Sequence, residues 1–334
     1  MTDDTADNAD NIDPLTRAAI RHGCDKWGTH FYTPVYHELF AARRDRPLRI
    51  LEIGVGGFQS SNLGGASLRM WADYFPRAAI VGIDIVEKRL DIDPRVKILQ
   101  GSQDDPEFLR RVVAEHGPFD IVIDDGSHVP KHVIASFDCL FPTLADGGLY
   151  VIEDVQTCYW PGRGGDPETG AETMFLARAV LENLHHAEIR VIQPQRKFFN
   201  LAYQIRSFRA FHNIFVIEKG DNTEPSSHGF HADNPHAAHA IAATEAVLRD
   251  DPTPAGYANF IQTLFACGDL ERARLILQDA QASWPQDVPL AVTAFQLAFA
   301  CQAEDAMQAA RVRLLALGCT GAELDEMLRR MKED

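Results

Sequence analysis

"LRILEIGVGG", residues 48–57, sets four apolar side chains, Leu48, Ile50, Leu51 and Ile53, around an acid, Glu52, and then runs into a glycine turn, Gly54, Gly56 and Gly57. An apolar run of this length that stops at a glycine turn reads as a strand buried on both faces, the type found in parallel sheets. The next hundred residues repeat the theme. A helical pattern over 67–74, the run "AIVGIDI" (79–85), a helix over 106–115, "FDIVIDDGSH" (119–128), a helix over 131–140 and "GGLYVIEDV" (147–155) come in order. Apolar strands alternating with helices predict a doubly wound α/β sheet with helices on both faces. After a helix near 172–184, "HAEIRVIQ" (186–193) and "IRSFRAFHNIFVIEKG" (205–220) read as late strands, with an antiparallel hairpin at the sheet edge.

The rest of the 334 residues falls outside this pattern. Residues 1–13 are acidic and free of aromatics, which predicts a disordered tail rather than a secretory signal. Residues 14–220 hold the sheet, opening with helices around a loop over 14–43. Residues 221–252, with "DNTEPSSHGFHADNPHAAHA", read as a His-rich linker; a solvated cluster at His228, His231, His236 and His239 is favoured over a metal site. From 253 to 334 the pattern is helical. "LFACGDLERA" at Leu264 and "AFACQAEDAM" at Ala298 are 34 residues apart, the period of the tetratricopeptide hairpin. So few repeats need neighbours to cover their faces, which predicts docking on the sheet domain or a homo-oligomer.

The formal charge of −16 disfavours nucleic acid and anionic membranes as partners. No stretch reaches the roughly 20 apolar residues of a membrane span. Six cysteines without a CxxC pair fit a reducing cytoplasm rather than a disulfide frame or zinc site.

Ligands of a doubly wound sheet bind at the carboxyl ends of the strands, where the strand order switches. The glycine turn lies there, and Gln59 replaces the last glycine of a dinucleotide fingerprint, which tells against pyrophosphate. Asp84, at the end of the second strand, suits the ribose hydroxyls of an adenosine, and Ser102 and Gln103 follow the third strand. Together these look like the S-adenosyl-L-methionine pattern of class I methyltransferases. The fourth and fifth strands end in acids, so Asp125, Glu153 and Asp154 can present oxygens to a hard cation such as Mg2+. Coordination would acidify an acceptor hydroxyl, and His128 is placed to take its proton. Helix capping explains one such acid; it does not explain four acids and a histidine at two adjacent strand ends.

From about residue 25 to 220 the chain resembles the metal-dependent sugar O-methyltransferases of antibiotic biosynthesis, especially the mycinamicin-type macrolide and rhamnosyl-polyketide enzymes. "DKWGTHFYTPVY", "LEIGVGG", "GGASLRMWADYFPRAAIVGIDI", "GSQDDPEFL", "DIVIDDGSHVPKH", "YVIEDVQTCYW" and "FHNIFVIEKG" carry that resemblance. It implies donor contacts from Leu51, Glu52, Gly54, Val55, Gly56, Gly57, Ser67, Asp84, Ser102 and Gln103, magnesium on Asp125, Glu153 and Asp154, and His128 as base. The resemblance gives no account of the helical tail, which leaves a carrier- or lipid-linked sugar as an acceptor alongside a small glycoside.

The Gly-rich stretch 158–174 reads as an acceptor-side loop, with Tyr159 and Trp160 as sugar-stacking rings or as plain surface anchors. His30 and Tyr32 are placed to close over the donor or to pack on the sheet. The leading expectation is a magnesium-dependent sugar O-methyltransferase. The same site on a catechol-like phenol is an alternative, and so is an interaction protein that works through its helical tail.

Overall fold

The computed structural model describes residues 12–197, 201–226 and 235–333. The chain divides into two compact units, residues 1–189 with 195–222, and residues 190–194 with 223–334.

The first unit holds seven strands: β1 (Arg49–Ile53), β2 (Ala79–Asp84), β3 (Val96–Gln100), β4 (Ile121–Asp124), β5 (Leu149–Ile152), β6 (Ile205–Phe211) and β7 (Ile214–Lys219). They lie in the order β3-β2-β1-β4-β5-β7-β6. The first five are parallel, and β7 runs antiparallel between β5 and β6. The order turns back between β1 and β4, which places a crevice beyond their carboxyl ends.

Helices α1 (Pro14–His22), α2 (Thr33–Phe40) and α3 (Ala66–Tyr74) precede β2; α4 (Pro106–His116), α5 (Pro130–Leu140), α6 (Ala171–Leu184) and α7 (His186–Ile192) come later. Because successive strand residues point to opposite faces, the strands feed two cores. Ile50, Ile80 and Ile121 pack with Leu15, Tyr36 and Trp71 on one side, while Leu51, Val81 and Val122 pack with Leu109, Phe137 and Leu176 on the other. Full burial of each such side chain contributes about 1.5–3 kcal/mol.

The N-terminal helices are set by local chemistry. Asp13 caps α1 by accepting from the Leu15 and Thr16 amides at 2.9 Å, and Pro14 begins the first turn. Gly23 ends α1 in the left-handed conformation. The Thr16 and Thr33 hydroxyls, 2.6 Å apart and buried, then join α1 to α2. That junction orients the turn between them, which carries Lys26, His30 and Tyr32.

Two expectations differ from the structure. The "HAEIRVIQ" stretch is helical over His186–Ile192, and the antiparallel hairpin forms wholly within 205–219. Ala, Glu and Arg favour a helix there, and no Gly or Pro interrupts the chain from the start of α6 until Pro194, beyond the stretch. The expected linker contains α8 (Ala237–Asp250), whose AAHAIAATEAVLRD sequence is rich in strong helix formers. His228, His231 and most of the expected disordered tail lie outside the described residues.

In the second unit, α9 (Pro254–Ala266), α10 (Leu270–Ser283), α11 (Val288–Ala300), α12 (Glu304–Ala316) and α13 (Gly321–Glu333) follow α8. α9 packs with α10, and α11 with α12. The two pairs begin 34 residues apart, at Pro254 and Val288. Phe260, Ile261, Leu264, Leu277 and Leu290 form one core cluster of this unit, and Phe295, Leu314 and Leu324 belong to a second. No helix among the described residues is long and apolar enough to cross a membrane.

Candidate active site at the strand tips

A cavity of about 590 Å³ opens beyond the carboxyl ends of β1, β2 and β4. Its wall includes the Gly54–Gly57 turn, Ser67, Asp84, Ser102, Gln103, Asp125 and His128. Gly54 has φ +95°, and a Cβ there would stand 2.1 Å from the Asp125 carbonyl oxygen. Only glycine lets the turn after β1 lie this close to the loop after β4.

Asp84 accepts from the Val55 amide at 3.0 Å and the Val86 amide at 2.8 Å, which fixes its carboxylate against the glycine turn. Ser102 donates to Asp104. Leu51 and Glu52 are not on the cavity wall. Leu51 is core, and Glu52 is buried where it accepts from Ser67 Oγ at 2.8 Å and Trp71 Nε1 at 3.1 Å. Burial raises the Glu52 carboxyl to about 7, against the pull of the nearby Lys26 ammonium.

Beside the cavity, Asp125 and Asp154 meet His128. Its Nε2 lies 3.8 Å from Asp125 Oδ1 and 3.6 Å from Asp154 Oδ2. One ligand atom from each of the three residues falls within a 4.8 Å group, partly open to solvent. Burial works against the Asp154 carboxylate, yet bonds from Tyr32 and Gln156 and the proximity of His128 hold it below its ordinary range. His128 and Asp154 both adopt left-handed backbone, φ +55° and +50°, which non-glycine residues rarely take.

Glu153 stands apart from this group. Lys26 Nζ donates to Glu153 Oε2 at 2.8 Å, and Tyr36 donates to Glu153 Oε1, so both carboxylate oxygens face buried donors. The same ammonium reaches Asp125 Oδ2 at 2.5 Å and lies 3.7 Å from Glu52. Burial disfavours its charge, but Asp125, Glu153 and Glu52 outweigh that and hold Lys26 well above the usual lysine range. Burial and the neighbouring Asp125 push Glu153 well above the usual carboxylate range.

Tyr32 donates to Asp154 Oδ1 at 2.6 Å, and the His30 ring stacks on Tyr32 with centroids 4.7 Å apart. These two rings therefore address the acids of the site rather than the cavity wall. Tyr159 and Trp160 sit at the end of a short 3-10 turn (Val155–Tyr159) and are exposed, as a sugar-stacking pair or a surface anchor would both require.

Sequence reasoning passed over Lys26, Tyr36 and Arg163. The i, i+4 spacing of Tyr32 and Tyr36 was the available signal for one polar face aimed inward. Arg163, on the 158–174 loop, donates to the Ser127 carbonyl at 2.9 Å and joins the cavity wall.

No protein-family model matches the sequence. Over 214 residues, 63% of the chain, it is 47% identical to the 8-demethyl-8-(2-methoxy-alpha-L-rhamnosyl)-tetracenomycin-C 3'-O-methyltransferase of Streptomyces olivaceus. It is 43% identical over 214 residues to the mycinamicin VI 2''-O-methyltransferase of Micromonospora griseorubida. A solved structure of the mycinamicin-pathway methyltransferase MycE with Mg and SAH matches at 41% identity and a TM-score of 0.61, over 64% of this chain and 56% of that one.

The chain resembles the sugar O-methyltransferases of macrolide and tetracenomycin biosynthesis. Its seven-stranded mixed sheet, followed by C-terminal helices, is of the class I methyltransferase type. It spans little more than half the length of these sugar O-methyltransferases, 55% of the first and 53% of the second.

Proposed function

We propose that this protein is an S-adenosylmethionine- and Mg2+-dependent O-methyltransferase acting on a sugar hydroxyl of a glycosylated natural product or glycan. The observation that carries this reading is the grouping of Asp125, His128 and Asp154 within 4.8 Å beside the glycine-turn cavity. Relatives named for rhamnosyl and mycinamicin O-methylation, and a related structure titled with Mg, SAH and mycinamicin VI, support it.

In this reading the cavity takes the donor, with Asp84 on the ribose and Gly54, Val55, Gly56 and Gly57 against the methionine end. Ser67 and Ser102 complete the donor wall; Leu51 and Glu52 act from behind it. The donor set fits a hard divalent cation: two carboxylates with free oxygens, in a partly open pocket with room for water. Asp125 and Asp154 would hold magnesium directly, and Glu153 completes the acidic pocket through its shared lysine. When bound, the ion supplies Lewis acidity that lowers the pKa of the acceptor hydroxyl.

His128 Nε2 takes the hydroxyl proton as the oxygen attacks the sulfonium methyl. A carbon–oxygen bond forms, the carbon–sulfur bond breaks, and its electron pair stays on sulfur. The fixed placement of His128 between the two aspartates restricts where that oxygen can sit, which contributes through orientation. Tyr159 and Trp160 offer stacking surfaces to the sugar.

Labour divides along the chain: residues 14–220 for transfer, 221–252 as a connector that ends in α8, and 253–334 as a tetratricopeptide-like region that favours self-association, in a cytoplasmic protein. The 34-residue offset of the helical pairs supports the tetratricopeptide reading.

Calorimetry with S-adenosylmethionine, followed by mass spectrometry of glycosylated polyketide acceptors, tests the activity. Donor heat and an acceptor that gains a methyl group only with magnesium are expected. Tight NAD binding without donor heat, or undiminished turnover in chelator, would overturn the reading.

A further inference from the structure

Asp124 ends β4 beside Asp125, yet it is 2% exposed and has no place in the group around His128. A carboxylate at that depth is tolerated only when donors surround it. Three side chains from three different elements do so. Gln103 Nε2 lies 3.0 Å from Oδ1, Ser136 Oγ of α5 donates to Oδ2 at 2.5 Å, and Tyr150 OH of β5 lies 3.3 Å from Oδ2.

Gln103 is held at its other end as well. Its Oε1 accepts from the Ser127 amide at 2.7 Å, and its Nε2 also approaches Ser136 Oγ at 3.4 Å. Its amide nitrogen thus faces Asp124 and Ser136 and its oxygen faces the Ser127 amide, so both polar ends of the side chain are engaged within the protein. The fit is close: a Cβ on Gly126 would fall 2.2 Å from Gln103 Oε1.

The amide so fixed belongs to the residue before His128, whose left-handed backbone persists only where its surroundings over-determine it. Thr157 Oγ1 donates to the His128 carbonyl at 3.1 Å from the far side.

We infer that Gln103, braced by Asp124, is a positioning residue that holds the Ser127 amide and so aims the His128 imidazole between Asp125 and Asp154. The inference rests on the transfer reaction proposed above for its kinetic readout, and assigns Gln103 a task other than reading the donor. Asp124 sets the polarity of the brace: as acceptor, it forces the Gln103 amide nitrogen inward and leaves the oxygen for Ser127.

The test uses the full chain. Gln103→Met removes both bonds at similar volume. It should lower kcat about 10- to 100-fold, as a misplaced catalytic group does, with acceptor KM and donor Kd within about three-fold. Gln103→Glu sets two carboxyls face to face and, at a pH high enough that the pair no longer shares a proton, should lose kcat similarly. The double variant Gln103→Glu, Asp124→Asn reverses the donor and acceptor: an Asn Nδ2 at the Oδ1 place donates to the new carboxylate, which still accepts from Ser127. It should recover kcat to within about three-fold of wild type, since the geometry is restored.

Nitrogen NMR of the His128 ring reads the placement without turnover. The ring signal should move in both single variants and return in the double, so a failure of the transfer reaction itself leaves this arm standing. Unchanged kcat and ring signal in Gln103→Met would overturn the inference. So would a rise in donor Kd at constant kcat, which marks a donor contact, or a double variant no better than the worse single. If Gln103→Met does not fold, the charge-reversed pair decides.

Discussion

Lys26 Nζ bridges Asp125 Oδ2 at 2.5 Å and Glu153 Oε2 at 2.8 Å, joining the N-terminal turn to the tips of two central strands 99 and 127 residues away in sequence. With Lys26 on Asp125 Oδ2 and Tyr32 on Asp154 Oδ1, Asp125 Oδ1 and Asp154 Oδ2 are the oxygens turned toward His128. One ammonium therefore divides the acids into a pair that faces the ligand side and one that is anchored inward.

Removing that ammonium takes the shared cation from Asp125, Glu153 and Glu52. Lys26→Met should destabilise the metal-free protein by roughly 3–5 kcal/mol, the usual effect of leaving buried charge unpaired. Magnesium should recover part of the loss by supplying a new cation to Asp125. Denaturant unfolding with chelator and with magnesium measures both; superimposable curves for variant and wild type would deny the clamp any energetic role.

Metal affinity should depend on Asp154 more than on Glu153. Asp154→Asn should weaken magnesium binding at least about ten-fold, since even outer partners of metal ligands have effects of that size. Glu153→Gln, which keeps one acceptor oxygen for Lys26 and turns its NH2 toward the Tyr36 hydroxyl, should weaken it less. Titration calorimetry with magnesium ranks the two, and the reverse order would make Glu153 the direct ligand.

Loss of the base should show in chemistry and not in donor binding. His128→Ala is expected to lower kcat by about 100-fold or more, the range for a positioned general base. Donor Kd by calorimetry should stay near wild type; an unaltered rate would place the base elsewhere.

Glu52 predicts a pH effect. Its folded value of about 7 lies above the ordinary 4.5, so the folded protein holds this proton more tightly than the unfolded chain. The favourable contribution is complete below about 4.5 and is lost as pH rises to about 7, an amount on the order of 3 kcal/mol. In metal-free buffer, Glu52→Gln should flatten the fall in stability over that window. A variant with the same slope as wild type would show that Lys26 cancels the burial of Glu52.

The strand tips were legible because each is a local pattern: an apolar run followed by "GVGG", "DDGSH" or "IED" places its own polar end. Which acid does what was not legible. Glu153 and Asp154 are neighbours in sequence, and their environments diverge because both lie past the end of β5 at Ile152 and the backbone turns left-handed at Asp154, so that Glu153 meets Lys26 and Tyr36 while Asp154 meets His128 and Tyr32. Lys26 itself sits in "DKWGTHFYTPVY", residues 25–36, and its burial depends on contacts about a hundred residues away. The helix at His186–Ile192 was missed because a short apolar alternation also suits a strand.

The left-handed backbone at His128 makes the residue best for the chemistry a poor one for the chain. Glycine is at home at φ +55°, so His128→Gly should melt higher than His128→Ala while being equally inactive. It also leaves a ring-sized gap beside the aspartates, into which free imidazole from solution can diffuse and act. A protein whose inactive glycine variant outlasts its alanine one in heat and revives with a soluble base would be one that has kept an awkward histidine for its work alone.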